Sequence, residues 1–420
     1  MEIKDTKYFN AALLKAEIDG YVLGQDEGVR RVALAVSSHL QRIFAHKINK
    51  NSRIRKDNVL LAGPTSSGKT ETFRVLQRLV EELGIPVIMR NAPEYAPSDT
   101  WKGDKDLTSL VKELFTEANN LYRKLHGRAP CAEWEFDEVC SMASNGIILL
   151  DEFDKMRITS GAVTEHFCRD YQANLLRMTE GSEYQAGQVN WNGDNKGGGE
   201  NMYELKVDTG GVMFVFLGAF DGLEKITRNR LLQEKRKEKD RENAEPAANT
   251  AGIGFTASLK QNRGKAVSEE KEELSPDTDL TPNLEDMIEY GILRELAGRI
   301  SIRVNYKALS VANIVKIMHE SKTSVYHEYQ ERFENMGHKL TLDDAAFREI
   351  ARMTAERKTG VRGLSNIFND LLFNTMFILS GTEEPTECLL LGSDIIANRP
   401  PQLRNLNRPK PKRWWEKLGL

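Results

Sequence analysis

The fold of this chain is decided by the stretch Gly63-Pro64-Thr65-Ser66-Ser67-Gly68-Lys69-Thr70. The apolar run 59–62 comes directly before it, and an amphipathic segment begins directly after it. This order of strand, loop and helix predicts a phosphate-binding loop, because the loop N–H groups and the helix N-terminus supply positive potential. We expect Lys69 to reach the outer phosphates and the Thr70 hydroxyl to serve magnesium. The stretch therefore predicts a nucleotide-binding protein.

A second motif predicts nucleotide hydrolysis. The apolar run 147–150 ends in Asp151 and Glu152, and acids at the carboxyl end of a buried strand would face phosphates held at the same sheet edge. We expect Asp151 to hold Mg²⁺ through water, and Glu152 to orient and polarise the attacking water. The predicted cofactors are ATP and Mg²⁺, and the predicted activity is ATP hydrolysis.

Four apolar runs alternate with helical periodicity in the first half of the chain, at 59–62, 87–89, 147–150 and 212–217. Continuous apolar strands are buried on both faces, which is typical of a parallel sheet between helices. The sequence thus predicts an α/β P-loop NTPase domain followed by a smaller, mostly α-helical domain. The predicted parts are an N-terminal extension (1–17), the large domain (18–300) with a mobile loop (about 228–282), the small domain (301–395) and a basic, Pro-rich tail (396–420).

The composition limits the kinds of molecule that the chain is expected to bind. The 420 residues carry a formal charge of −3, which gives no overall attraction to nucleic acid or anionic lipid, so the basic tail is the one segment expected to offer such contact. A solvated tail is the simpler interpretation. The four cysteines include no CxxC pair, and no apolar run approaches the length of a membrane span. We expect a cytoplasmic protein without a membrane segment.

Four further stretches accompany the nucleotide motifs in a fixed order. They are Tyr21-Val22-Leu23-Gly24-Gln25, the run 217–223, the run 295–299 and the run 358–364. Together with the two nucleotide motifs they resemble the ClpX family of AAA+ unfoldases, which work with the ClpP peptidase, over residues 18–380. The family's N-terminal zinc-binding domain is expected to be absent, because only residues 1–20 precede Tyr21.

The resemblance implies roles for particular residues around the nucleotide. Val22 and Leu23 would line the adenine pocket, Arg299 would be the arginine finger that reaches the neighbouring subunit's nucleotide, and Arg362 would be the sensor on the small domain. A guanidinium supplied from a neighbour implies a ring, which in this family is a homo-hexamer. The stretch 217–219 offers no Asn or Thr for the sensor that many relatives carry on the fourth strand.

The resemblance also implies sites for a polypeptide. Trp101, Lys102 and Gly103 match the loop that grips substrates in the pore, with Lys102 in place of an aliphatic residue, and a second pore loop falls at 159–169 by position. Ile253, Gly254 and Phe255 match the tripeptide that docks on the peptidase. The stretch 191–199 replaces the family's basic loop at the pore entrance, so recognition of a C-terminal carboxylate tag is not expected.

Two functions follow, with a third class disfavoured. The first is a hexameric, ATP-driven unfoldase and translocase that feeds protein substrates to a ClpP-like peptidase. The alternative is a protease-independent AAA+ remodeller of protein or nucleoprotein complexes. A nucleotide-gated scaffold without turnover is disfavoured by the intact Glu152.

Overall fold

The computed structural model of the protein describes residues 10–49, 52–95, 105–191, 201–244, 275, 278–357 and 360–407. Its helices are α1 (Ala11–Asp19), α2 (Asp26–Ile48), α3 (Lys69–Glu81), α4 (Thr108–His126), α5 (Glu133–Ser144), α6 (Glu165–Glu180), α7 (Leu223–Ala244), α8 (Leu284–Tyr290), α9 (Arg294–Gly298), α10 (Val311–Glu320), α11 (Val325–Asn335), α12 (Asp344–Glu356), α13 (Arg362–Leu379) and α14 (Gly392–Ile396). Its strands are β1 (Val59–Ala62), β2 (Val87–Asn91), β3 (Ile147–Asp151), β4 (Glu183–Trp191), β5 (Asn201–Asp208), β6 (Met213–Gly218), β7 (Ile302–Asn305), β8 (Lys339–Leu342), β9 (Thr386–Leu390) and β10 (Gln402–Asn405). Two short 3₁₀ turns, Ala92–Tyr95 and Phe153–Met156, follow β2 and β3.

A parallel five-stranded sheet in the order β2-β3-β6-β1-β7 forms the centre of the large domain. Its four apolar strands β1, β2, β3 and β6 are those that the sequence predicts. The predicted α/β fold class with a parallel sheet between helices is confirmed. Because all five strands run the same way, the loops after β1 and β3 leave from one edge of the sheet.

The side chains of the sheet are buried on both faces. On β1, Leu60 packs into the cluster on one face, whereas Val59 and Leu61 pack into the cluster on the other. Helix α1 adds Leu14 and Ile18 to the second cluster, and burying such a side chain contributes about 1.5–3 kcal/mol. The prediction of a mere extension at 1–17 is therefore wrong for α1, which packs as part of the large domain.

The predicted boundary at residue 300 cuts off the edge strand β7, which pairs with β1 through Val59 and Ile302. The short edge strand alternates polar and apolar residues, and its one buried side chain is Val304, so it lacks the continuous apolar run of the other strands. The small domain accordingly begins after β7.

The small domain packs helices α10–α13 around buried aromatic and aliphatic side chains such as Phe333 and Phe368. A three-stranded sheet in the order β10-β9-β8 completes it. The segment 396–420 was predicted to be a tail outside the small domain. Strand β10 lies in this segment, so the prediction is wrong for the residues up to Asn405. Short strands of mixed polarity give little signal in the sequence.

Helix α7 covers residues 223–244, and thus the first part of the predicted mobile loop 228–282. Its sequence is a run of Glu, Lys and Arg, which favour helix without requiring an apolar face. Among the described helices, none combines the length and the apolar character that crossing a bilayer requires.

Candidate active site

A cavity of about 450 Å³ opens at the carboxyl edge of the large sheet, between the two domains. The loop 65–70 and the acids after β3 form one wall, and residues of α10, α11 and α13 form the other. Val22 and Leu23 also line it, where the resemblance places the adenine. The size suits a nucleotide, since ligand cavities of about 300–1,000 Å³ are usual.

The glycines of the loop are required by close contacts and by backbone conformation. Gly68 has φ +98°, and a Cβ there would lie 2.9 Å from Cγ1 of Val22. A Cβ at Gly63 would lie 2.7 Å from the carbonyl oxygen of Tyr306. Only a residue without a side chain fits at both ends of the loop, where it packs against Tyr306 and Val22.

The Lys69 side chain reaches back to the start of the loop. Its Nζ donates to the carbonyl oxygens of Gly63 at 2.5 Å and Pro64 at 2.7 Å. Burial, with a smaller contribution from Arg362, lowers the pKa of Lys69 to about 8, against the raising effect of three carboxylates led by Asp151. A lysine whose charge is this poorly compensated gains a partner when an anion binds.

The Ser67 hydroxyl also indicates that the loop binds an anion. Ser67 is buried, and its Oγ has no hydrogen-bond partner among the described residues. A buried polar atom of this kind costs free energy unless a ligand or water completes it. The N-terminus of α3 begins at Lys69, so unpaired backbone N–H groups face the same space. The loop therefore fits a phosphate.

Asp151, the last residue of β3, and Glu152, which follows it, both line the cavity. Asp151 Oδ1 accepts the backbone N–H of Glu152 at 2.8 Å, and Glu152 itself has φ +56°. Left-handed backbone is strained for a residue with a side chain, and such strain is common at catalytic positions. Glu152 Oε2 accepts Lys155 Nζ at 2.6 Å, so this carboxylate is held beside the cavity by a charged neighbour.

The stretch 217–219 has no Asn or Thr to serve as the fourth-strand sensor, and Gly218 is the last residue of β6. A Cβ at Gly218 would lie 2.3 Å from Oδ1 of Asp154, so the Asp154 carboxylate fills the space that a side chain would need. Burial raises the pKa of Asp154. Asp154 also lines the cavity, and the sequence analysis missed it because its approach depends on the small residue on another strand.

The small domain contacts the phosphate loop directly. Gly360 lies so close that a Cβ there would be 2.5 Å from Ser66 Cβ, and Arg362 at the start of α13 lines the cavity. Gln25 Nε2 donates to the Ser67 carbonyl at 3.2 Å and to the Lys307 carbonyl at 2.8 Å. Gln25 thus joins the loop to the connection between the domains, a role that no local pattern reveals.

Arg299 lies at the opposite edge of the sheet. Its carbonyl oxygen accepts from Asn58, the residue before β1, whereas the phosphate loop follows the end of β1. At about 3.3 Å per residue, β1 separates the two edges by roughly 13 Å. Arg299 Nη2 pairs with Glu180 Oε1 at 2.6 Å, and both side chains are about half exposed. Arg299 therefore cannot touch the phosphates of its own subunit.

The predicted pore residues Trp101, Lys102 and Gly103 lie outside the described residues, as do the predicted docking residues Ile253, Gly254 and Phe255. These assignments stay predictions. In the described part of the second pore region, Val163 is 86% exposed in the turn before α6.

Comparison with known sequences agrees with this geometry. The sequence model of the AAA domain (Cdc48 subfamily) matches residues 55–303, which hold the loop, the acids and β7. The chain belongs to the AAA family.

Among curated proteins the chain is similar to several "ATP-dependent Clp protease ATP-binding subunit ClpX" sequences. It is 29% identical to that of Treponema denticola over 390 residues, which cover 92% of this chain and 80% of the relative. It is 29% identical to that of Azotobacter vinelandii over 387 residues, 90% of this chain and 76% of the relative. It is 27% identical to a protein of Methylococcus capsulatus named ClpX 3 over 402 residues, 92% and 80% of the two chains. The protein is a ClpX-type AAA+ ATPase.

Proposed function

We propose that this ClpX-type ATPase is a protein unfoldase and translocase that forms a hexameric ring and delivers substrates to a ClpP-like peptidase. The observation that carries the proposal is the position of the cavity, which has the sheet domain as one wall and the small domain as the other. When a nucleotide bound between two domains is hydrolysed, its contacts with each domain change, and the domains can move relative to each other. This is how domain motion is coupled to the nucleotide state.

The residues in the cavity support a simple division of chemical roles. Lys69 and Arg362 neutralise charge on the outer phosphates. Glu152 accepts a hydrogen bond from the attacking water, which orients and polarises that water. Thr70 and Asp151 offer the hydroxyl and carboxylate oxygens that Mg²⁺ prefers, and bound Mg²⁺ would stabilise the charge that develops between the β- and γ-phosphates. Glu152 leaves Lys155 when it turns toward the water.

Arg299 supports assembly into a ring. Its guanidinium sits at the edge of the sheet remote from its own cavity, and its partner there is one exposed glutamate. An exposed ion pair contributes only about 0.2–1 kcal/mol, so Arg299 gives up Glu180 easily for a neighbour's γ-phosphate. Arginines of this kind raise phosphoryl transfer rates by about 10³–10⁵.

The roles in handling polypeptide rest on the sequence. We propose that Trp101 contacts the substrate in the pore and that Ile253 to Phe255 dock in an apolar cleft of the peptidase, because apolar side chains on an insertion need a receiving surface. Cytoplasmic location follows from the same family resemblance.

Unfolding of a stable fluorescent reporter protein, followed by loss of its fluorescence with ATP, tests this function. The wild type should unfold the reporter, while Glu152→Gln should bind ATP normally and turn it over about 10²–10³-fold more slowly, without unfolding. Normal unfolding by Glu152→Gln would contradict the catalytic assignment.

Association with a ClpP peptidase separates the unfoldase from the alternative remodeller. We expect binding that requires ATP and is abolished by deletion of Ile253 to Phe255, with ATPase activity unchanged. Absence of binding by the wild type, with reporter unfolding intact, would favour a remodeller that works without a protease.

A further inference from the structure

The Asp154 carboxylate lies against the end of β6, at a residue that has no side chain. The last residue of β6 is Gly218, and a Cβ there would overlap Oδ1 of Asp154 and would lie 2.9 Å from Cε2 of Phe220. Because Gly218 has no such atom, the carboxylate can approach the strand this closely. A side chain of the turn after β3 thus fills the space that a side chain on β6 would need.

The end of β6 lies between the two nucleotide motifs. Strand β6 is the neighbour of both β1 and β3 in the sheet. Gly218 pairs with Ala62, the residue before the phosphate loop. Phe216 pairs with Leu150, so Gly218 lies level with the residues that follow Leu150. A group at this point therefore has the phosphate loop on one side and the two acids after Leu150 on the other.

The cavity brings Asp154 together with the other groups of the site. Asp154, Glu152, Lys69 and Gly218 all line it. Among the carboxylates that oppose the effect of burial on the pKa of Lys69, Asp154 is second only to Asp151. Lys69 is the side chain assigned to the outer phosphates. We therefore expect Asp154 to lie near the γ-phosphate of a bound nucleotide.

The position of the Asp154 carboxylate is fixed by the backbone around it. Burial raises the pKa of Asp154, against hydrogen bonds that the carboxylate accepts from its own backbone and from that of Phe220. Phe220 has φ +52°, and its buried ring lies 5.6 Å from the ring of Tyr290, centroid to centroid. Left-handed backbone at a bulky residue persists only where its surroundings hold it. Asp154 is thus oriented in advance, which a group that positions a reactant requires.

We propose that Asp154 is a further catalytic residue, a second acceptor for the attacking water beside Glu152, in place of the polar side chain that β6 lacks. The proposal rests on the proposed function in so far as Glu152 is the first acceptor. A water molecule has two hydrogens. With one acceptor for each hydrogen, the water is held with a lone pair of its oxygen free for the γ-phosphorus.

The two acceptors have different parts in the hydrolysis. The water oxygen bonds to the γ-phosphorus while the bond from this phosphorus to the β,γ-bridging oxygen breaks, and that oxygen leaves on ADP with the electron pair. One hydrogen of the water passes as a proton to Glu152, which releases it to solvent. The other hydrogen stays on the new phosphate oxygen, beside Asp154. Asp154 therefore orients the water and takes no proton from it.

Single-turnover ATP hydrolysis by the full-length, assembled protein tests the proposal. Asp154→Ala should slow hydrolysis about 10²-fold while the ATP dissociation constant and the Mg²⁺ concentration required stay at wild-type values, because only the orientation of the water is lost. Asp154→Asn keeps an acceptor oxygen and should retain most of the rate. The matched control is Asp221→Ala, since Asp221 is an exposed acid on the same side of the sheet and does not line the cavity. It should hydrolyse ATP at the wild-type rate.

Two results of this experiment would overturn the proposal. A wild-type rate in Asp154→Ala would show that the water is oriented without this carboxylate. A slow rate that additional Mg²⁺ restores would assign Asp154 to the water ligands of the metal ion.

Gly218→Ala gives a second variant, in which Asp154 itself is unchanged. Its Cβ would take the place of the carboxylate, so this variant should slow hydrolysis about as much as Asp154→Ala does. The double variant should be hardly slower than either single variant, because all three lose the same group from the same place. Hydrolysis at the wild-type rate in Gly218→Ala would overturn the proposal.

Glu152→Gln in the same assay separates this proposal from the proposed function. Because both carboxylates act on one water, adding Asp154→Ala to Glu152→Gln should slow hydrolysis by less than about threefold. A further loss of about 10²-fold in that background would show an independent, merely structural role and would overturn the proposal. Normal hydrolysis by Glu152→Gln would contradict the role of Glu152 in the proposed function, and the single variants would still decide the role of Asp154.

Discussion

Two lysines, the buried Lys69 and the half-buried Lys56, lie at opposite edges of the large sheet, and the difference between their surroundings separates a ligand site from a structural one. Burial lowers the pKa of Lys69 to about 8 and that of Lys56 to about 7. Lys56 donates to the Thr209 carbonyl at 2.8 Å, and its Nζ lies 5.3 Å from the centroid of the Phe214 ring. Neither a phosphate loop nor a pair of acids lies beside it.

A lowered lysine pKa therefore does not identify a nucleotide site. Lys69 is set apart by the cavity, by the glycines at both ends of its loop, and by Asp151 and Glu152 at the carboxyl end of β3. The edge that holds Lys56 also holds Arg299, which lies near enough to contribute, after burial and Arg42, to the lowered pKa of Lys56. One edge binds a nucleotide, and the other presents the guanidinium that we assign to a neighbour's nucleotide.

The largest effect should come from Arg299. Arg299→Ala should reduce the ATPase rate of the assembled protein about 10³-fold while leaving the ATP dissociation constant unchanged, because the guanidinium stabilises only the transition state. The matched control is Arg294→Ala on α9, whose exposed side chain pairs with Glu285. Steady-state kinetics and a fluorescent nucleotide titration measure the two quantities. A weakened ATP affinity with an unchanged rate would break the comparison of the two edges.

Next in size is the effect of removing each lysine on nucleotide affinity. Lys69→Ala should weaken ATP binding about 100-fold, since charge-assisted contacts to the phosphates are lost. Lys56→Met should bind ATP as the wild type does. Isothermal titration calorimetry of both variants measures the ATP dissociation constants. An equal loss of ATP affinity in the two variants would contradict the assignment of the nucleotide site to the Lys69 edge alone.

The pH dependence of binding should also distinguish the edges. Phosphates favour the charged form of Lys69, so above its free pKa of about 8 the site must take up a proton when ATP binds. The ATP dissociation constant should then rise by up to about tenfold per pH unit above pH 8. Lys69→Arg, which stays protonated, should flatten this profile, and Lys56→Met should keep it.

The smallest effect concerns stability. The folded pKa of Lys56, about 7, lies below its ordinary value of 10.5, so the unfolded chain binds the extra proton between these pH values. The contribution of Lys56 to the free energy of unfolding should rise with pH across this window, by up to about 1 kcal/mol per unit, and Lys56→Met should remove this contribution while leaving the similar contribution of Lys69 above pH 8. Urea unfolding at several pH values measures it, and an unchanged slope in Lys56→Met would contradict the assignment.

The sequence is most informative where a predicted role depends on consecutive residues. The loop 63–70 and the acids after β3 are read directly, because the phosphate site needs a local run of residues at one sheet edge. Roles that depend on distant approach were not visible, such as Asp154 behind Gly218 and Gln25 between the domains. Strand β7 was missed for another reason, since it is a short edge strand of mixed polarity.

The central claim is that one active site is built from two subunits, with Lys69 at one sheet edge and Arg299 at the other. The most direct measurement is the ATPase rate of a mixture of Lys69→Ala and Arg299→Ala subunits. Each variant alone should be inactive, and the mixture should recover a substantial fraction of activity, because Lys69→Ala subunits supply Arg299 to neighbours that bind ATP. A mixture as inactive as its parts, or full activity of Arg299→Ala alone, would contradict the claim.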